Sequence, residues 1–253
     1  MKASNSLRRN ASGQVLIITS LVVILLMLST VLYVNNMEKD APIVAPDENS
    51  NLSAIKQSAV HSLVSALVNV SNGGDPSVLS DDLLRFKTTV EGSTYNSFSE
   101  LNYTFCNLFP YANGFSVSWG KYGQGSSSVD VDFSFNSTGT SGSYFSEYSI
   151  NVTSTVSLTG NFSVSDDSTL AVSLSCSVLN EGEAALARNI SVFYQQLNGV
   201  WVSSNPNIFD FGNGTYSLSF TAQNVSQVSL PVSVGCIDSR GVSIWANDTL
   251  SQG

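Results

Sequence analysis

Histidine is all but missing from this chain, with one residue, His61, in 253. A catalytic triad or a zinc site needs more. Neither Cys-x-x-Cys nor His-Glu-x-x-His occurs, so metal-ligand spacing is absent too. A helical wheel places His61 beside Leu63 and Val64, an ordinary surface or packing position. Charge is scarce as well: Asp, Glu, Lys and Arg make up 11% of the chain, with ten Lys and Arg against nineteen acids. That acidic balance makes nucleic acid a poor partner. The glycine-rich KYGQGSSS lacks the Gly-Lys-Ser/Thr ending of a phosphate loop, and SNGGDPS opens no dinucleotide-binding unit, so both read as loops. Carboxylate pairs have bland roles available. Asp81 and Asp82 in SDDLL suit a helix N-terminus, and Asp166 with Asp167 suit a turn. Asp130 and Asp132 share one strand face without the glycine and bidentate Glu of a calcium loop. No catalytic residue, metal ligand or cofactor is assigned, and the chain reads as a non-enzyme.

One long apolar run is present. Residues 15–34 carry no charge, and a helix of that length rises about 30 Å, the thickness of a bilayer's hydrocarbon core. The run is longer than a cleaved secretory signal and is followed by no small-residue cleavage site. Lys2, Arg8 and Arg9 precede it, whereas only Lys39 lies in the next twenty residues. The positive-inside rule then puts residues 1–14 in the cytoplasm as a basic leader, and the remainder outside. The expected partner is a membrane crossed once, N-terminus inside, and the expected location is the cell membrane with the C-terminal part extracellular.

All nineteen acids follow this run, together with seven Lys or Arg, a net charge of −12 for the exterior part. Ser and Thr are abundant, at about a quarter of the residues, a composition common in extracellular β domains. Asn-x-Ser/Thr occurs at Asn10, Asn51, Asn69, Asn102, Asn136, Asn151, Asn161, Asn189, Asn213, Asn224 and Asn247. Eleven is roughly twice what this composition gives by chance, which favours glycosylation outside the membrane. Asn10, on the inner side, is expected to stay unmodified; polar strands rich in Asn, Ser and Thr are the alternative source of the excess.

Periodicity divides the exterior. Residues 35–50, with two prolines and four acids, read as a stalk. Ile55, Ala59, Leu63, Ala66, Leu67 and Val70 recur at helical steps until Asn72-Gly73-Gly74 stops them. A second short helix is expected from Ser97, with Phe98, Leu101, Phe105 and Leu108 on one face and Pro110 after its end. From Phe115 the period becomes two: Val129, Val131, Phe133 and Phe135 alternate with Asp130, Asp132 and Ser134, the pattern of a half-buried strand. Residues 51–149 thus read as a small α+β region. Residues 150–253 read as an all-β sandwich, with strands at Thr169–Val178, Asn189–Gln195, Val200–Ser203, Gly214–Thr221, Val228–Ile237 and Val242–Ala246.

Two stretches carry a resemblance. SVLNEGEAALARNISVFYQ resembles the strand, turn and strand of CARDB-type immunoglobulin-like adhesion domains. FGNGTYSLSF resembles the Gly-x-Gly-Thr-Tyr strand start of immunoglobulin-like repeats in prokaryotic surface proteins, and VSVGCIDSRGVSIWA resembles their last hairpin. The likeness covers about residues 168–250. It implies an immunoglobulin-like fold in which Cys176 and Cys236 lie on strands in facing sheets, as an inter-sheet disulfide requires. Such a bridge contributes about 4 kcal/mol by loop entropy; two buried thiols are the alternative. Antibody-type domains differ, because here Trp201 comes late and Val234 stands where their tyrosine would be. Cys106, in YTFCNLF, reads as a small core residue, with an intermolecular disulfide as the other reading.

The N-terminus carries a second resemblance. SGQVLIITSLVV is similar to the class III signal of archaeal type IV pilins, in which prepilin peptidase cuts after the small residue, here between Gly13 and Gln14. Ser12 and Ile18 depart from that family's usual Lys or Arg and Glu. The expected fold class is therefore a single N-terminal transmembrane helix, a small α+β region and an immunoglobulin-like sandwich. The expected function is that of a non-enzymatic, membrane-anchored surface protein, pilin-like in one version, serving adhesion or assembly through protein partners or itself. The alternative is an accessory ectodomain of a secretion or pilus-assembly machine. Co-expression with prepilin peptidase followed by N-terminal sequencing separates the versions. A start at Gln14 supports the pilin-like one, and an intact Met1 terminus removes it.

Overall fold

Period-two alternation decides most of the chain. The computed structural model describes residues 48–92, 98–120, 122–139, 142–166 and 169–253. They are mostly β-sheet, with two helices. The helices are α1 (Glu48–Ser71) and α2 (Val78–Gly92). Eight strands form one antiparallel sheet: β1 (Phe98–Phe105), β2 (Phe115–Trp119), β3 (Gln124–Gly139), β4 (Gly142–Asp166), β5 (Thr169–Asn180), β6 (Glu183–Ala184), β9 (Asn207–Asp210) and β10 (Thr215–Gln223). Four more, β7 (Ala187–Gln195), β8 (Trp201–Ser203), β11 (Leu230–Asp238) and β12 (Ser243–Leu250), form the second sheet, in the order β12-β11-β7-β8.

The larger sheet runs β1-β3-β4-β5-β10-β9, with β2 also paired to β3 and β6 to β5. Its organiser is β4. The first part of β4 pairs with β3 from Gly142 to Ser157, and its last part pairs with β5 from Ser154 onward. Facing pairs alternate as the sequence requires. On β3, Val129, Val131, Phe133 and Phe135 are buried, while Asp132 is exposed. On β5, Leu170, Val172, Leu174, Cys176 and Val178 point inward, and on β11 Val232, Val234 and Cys236 do the same.

The helix α1 buries Ala59, Leu63, Ala66 and Leu67 on the face read from the sequence, and its chain turns away at Gly73, whose φ is +91°. Asp81 lies in the first turn of α2, where a carboxylate suits the helix dipole. This helix buries Leu79, Leu83, Phe86 and Val90 and lies against β1, where Glu91 Oε1 accepts the Leu101 N–H at 3.1 Å. Each fully buried leucine contributes about 2 kcal/mol by removing its side chain from water.

A polar cluster joins the sheets at the β11–β12 turn. The Asp238 carboxylate is fully buried. Its Oδ1 accepts the N–H groups of Arg240 and Val242 at 2.9 Å each. Its Oδ2 accepts Arg240 Nε at 3.0 Å and the Ser154 hydroxyl, from β4, at 2.9 Å. Arg240 reaches further, to Glu181 Oε1 at 2.7 Å and Ser154 Oγ at 2.8 Å. Burial alone would lower the Arg240 pKa, but hydrogen bonds to and charges of Glu181 and Asp238 outweigh it, and the net shift is upward. Glu181 is aimed by a two-residue turn between β5 and β6 in which Glu181 and Gly182 both have positive φ, +50° and +86°.

Two expectations are corrected. The expected fold class, a membrane helix followed by separate α+β and sandwich parts, is not what the described residues form. No helix among the described residues is long and apolar enough to cross a membrane, and the run 15–34 lies outside them. The α+β region and the sandwich instead share one sheet, because the 149/150 boundary falls inside β4. Second, residues 98–105 form strand β1 rather than a helix. Ser99 and Leu101 are buried while Phe98 is exposed, so the period is two. Continuous pairing with β3, from Phe98↔Thr138 to Phe105↔Val131, outweighs a local apolar spacing that also fits a helix. Residues 1–47, with the leader and most of the stalk, lie outside the described residues; α1 begins at Glu48, inside the expected stalk.

Removing the Arg240 side chain leaves the Asp238 carboxylate buried with two backbone N–H donors and one hydroxyl but no countercharge. Arg240→Ala is expected to lower unfolding free energy by about 3 kcal/mol, and the double variant Arg240→Met/Asp238→Leu by less. Denaturant titration of both checks this; equal losses would contradict a charge-pair origin.

Candidate functional site

Of the residues singled out by sequence, Cys176 and Cys236 are the pair brought together. Cys176 lies on β5 of the larger sheet and Cys236 on β11 of the smaller, both buried, with their sulfurs 3.7 Å apart as thiols. The hydrogen bond to Cys176, with burial, pushes the Cys236 thiol pKa up. Two tyrosines tie the same layers. Tyr216, opposite Cys176 in the β5–β10 register, accepts the Ala187 N–H at 2.8 Å, and Tyr194 on β7 accepts the Gln223 N–H at 3.5 Å. Burial raises the Tyr216 pKa, although the bond from Ala187 works the other way. This is a structural centre with polar tethers rather than a solvent-open reaction site.

The other candidates are scattered. His61 is exposed on α1, in a shallow groove with Asp82 and Arg85. Asp130 accepts hydrogen bonds from Ser149 Oγ and Asn151 Nδ2 at 3.1 and 3.2 Å. Cys106 is half-buried just past β1, and its N–H donates to the Asp130 carbonyl. Among the described residues no group of three or more His, Cys, Asp or Glu is placed to hold a metal ion. The Gly13–Gln14 junction lies outside the described residues.

The sequons point outward. Asn69, Asn102, Asn151, Asn161, Asn189, Asn213 and Asn224 are exposed, and Asn136 and Asn247 are half-buried. Several already use their side chains: Asn102 accepts Lys87 Nζ at 2.9 Å, and Asn151 donates to Tyr111 at 2.8 Å. Asn51 belongs to α1.

One surface feature was not assembled from the sequence. The outer face of the smaller sheet holds an open cleft of about 600 Å³ lined by Phe193, Trp201, Pro231, Ser233, Trp245, Asn247 and neighbouring positions. Phe193 and Trp245 have ring centroids 5.9 Å apart, and Trp119, from the end of β2, stands 6.3 Å from Trp245. The chain has three tryptophans, and all of them gather here. Trp245 can lie flat because its register partner is Gly235, where a Cβ would meet the indole at 2.7 Å. The signal was present in WANDT: in a strand, residues two apart share a face, so Trp245, Asn247 and Thr249 point the same way.

No family model matches the chain, and no curated protein matches it.

Gly235→Ala is expected to push the Trp245 indole off the sheet, costing about 2 kcal/mol and shifting tryptophan emission. Fluorescence and a denaturation curve test this, and unchanged values in both would show that the indole does not rest on Gly235.

Proposed function

We propose that this protein is a non-enzymatic extracellular surface protein that serves adhesion or assembly through an immunoglobulin-like sandwich, pilin-like in its N-terminal signal. The observation that carries the reading is the position of Cys176 and Cys236. They face each other from opposite sheets, on the strands where the immunoglobulin resemblance implies a bridge, and a pair placed there gains most in an oxidising compartment. The exposure of the sequon asparagines supports the same location. An assembly role draws support from the free edge at β9, where Phe209 and Phe211 are exposed with their rings edge to face at 4.9 Å. That edge also suits the accessory-subunit version, in which the partner is a membrane machine.

Because the hydrogen bond to Cys176 and burial hold the Cys236 thiol protonated, oxidation belongs to the stage before the sheets close. The chain from an oxidising secretory host, denatured without reductant and alkylated, is expected to take no label at Cys176 or Cys236. Labels at both would sink the oxidising-exterior reading.

A further inference from the structure

The aromatic cleft contains its own attachment point for a ligand. Asn247 stands on β12 with Ser233 of β11 as its register partner, and Ser233 is in turn the partner of Phe193 on β7. Across this row the floor at Ser233 is low, between an amide on one side and a phenyl ring on the other. One step along β12 in the same direction stands Trp245, and Trp201 pairs with Gln195 at the far side of the sheet. Two strand spacings separate Asn247 from Phe193, about 10 Å, the reach of one or two sugar rings. The Asn247 backbone is held on its outer edge, its N–H donating to Gly120 and its carbonyl accepting from Gly123. Its side-chain amide makes no hydrogen bond with any described residue and faces the cleft.

We propose that Asn247 carries an N-linked glycan whose first sugars lie in this trough, the apolar C–H faces of the rings stacked on Trp245 and Phe193 and covering them. The proposal rests on the extracellular reading above. Asn247-Asp248-Thr249 supplies the acceptor, and Trp245, two residues before the asparagine, shares its strand face. The donor is an oligosaccharide carried on a lipid phosphate by the host's transferase. Asn247 Nδ2 forms a bond to the anomeric carbon and loses one proton. The bond from that carbon to the phosphate oxygen breaks, and the lipid phosphate leaves with the electron pair. A sugar ring has one polar rim and apolar faces, so a floor of indole and phenyl flanked by Ser233 and Asp248 matches both. The glycan also accounts for the three tryptophans gathered where a solvent-facing sheet would otherwise present bare aromatic surface.

The full chain expressed in an N-glycosylating secretory host tests this by glycopeptide mass spectrometry of every sequon, with tryptophan emission and hydrophobic-dye binding as readouts. Asn247 is expected to be occupied. Asn247→Gln and Thr249→Ala, which remove the acceptor in different ways, are each expected to red-shift emission and raise dye binding several-fold. Asn161→Gln, on the other sheet, is expected to change neither. Sugar on other sequons with Asn247 bare overturns the proposal and leaves the extracellular reading standing; no sugar on any sequon overturns both. An occupied Asn247 whose two variants alter neither emission nor dye binding shows a glycan pointing away from the trough, and also overturns it.

Discussion

A carboxylate with no access to water must be neutralised where it stands, and that requirement at Asp238 organises the joint between the two sheets. Four donors meet it, two from its own turn, one from the Arg240 guanidinium and one from Ser154 on the opposite sheet. Arg240 carries the linkage on to Glu181, so three separate segments depend on one buried charge. A pair so placed contributes less to net stability than its geometry suggests, since desolvation offsets much of the attraction. What it does supply is selectivity, because a displacement of the β11–β12 turn along β4 would take Ser154 out of reach of Asp238. The same turn touches α1: the Ser243 N–H donates to Ser71 Oγ, and Asn72 Nδ2 donates to the Gly241 carbonyl.

Around this joint the two faces of the smaller sheet have divided their work. The inner face is aliphatic and sulfur-bearing, with Val192, Val232, Val234, Cys236, Ile244 and Ala246 all buried. The outer face is aromatic and polar, and Gly235 is the position at which a missing side chain lets Trp245 lie down. Structural and surface chemistry are thereby separated by the thickness of a single strand. A bridge between Cys176 and Cys236 would tighten the inner layer without touching the cleft, and a glycan on the outer face would leave the sulfur pair undisturbed.

Much of the β architecture was legible in the sequence, and for a physical reason. Strands with one wet face show period two, and the six C-terminal strands read from that signal lie within a few residues of those observed. The face of α1 was legible for the corresponding reason at period 3.6. Residues 98–108 were misread because Phe98, Leu101, Phe105 and Leu108 fit a helix as well as chance allows, and only pairing with β3, distant in sequence, decides the matter. The Asp238 cluster was illegible because its members come from Ser154, Glu181 and Arg240, which no local pattern connects. The aromatic cleft was half legible: WANDT shows three residues on one face, but Phe193 and Trp201 reach it only through sheet order. The sharing of one sheet by the two expected regions was hidden as well, since the boundary placed at residue 150 falls within a strand that changes partner along its length.

That sharing has a practical side. Val152, Ser154, Val156 and Leu158 on β4 face inward where the strand passes from its β3 partner to its β5 partner. A slip of one residue would turn all four outward at once, so errors of alignment in one half are penalised by the other. A fragment cut at residue 149 would keep β3 but lose the length of β4 that backs it. Its newly bared edge would then be a template for a second copy of the fragment. Periodicity read locally suggests residue 150 as a place to divide the chain, and hydrogen bonding makes it one of the worst.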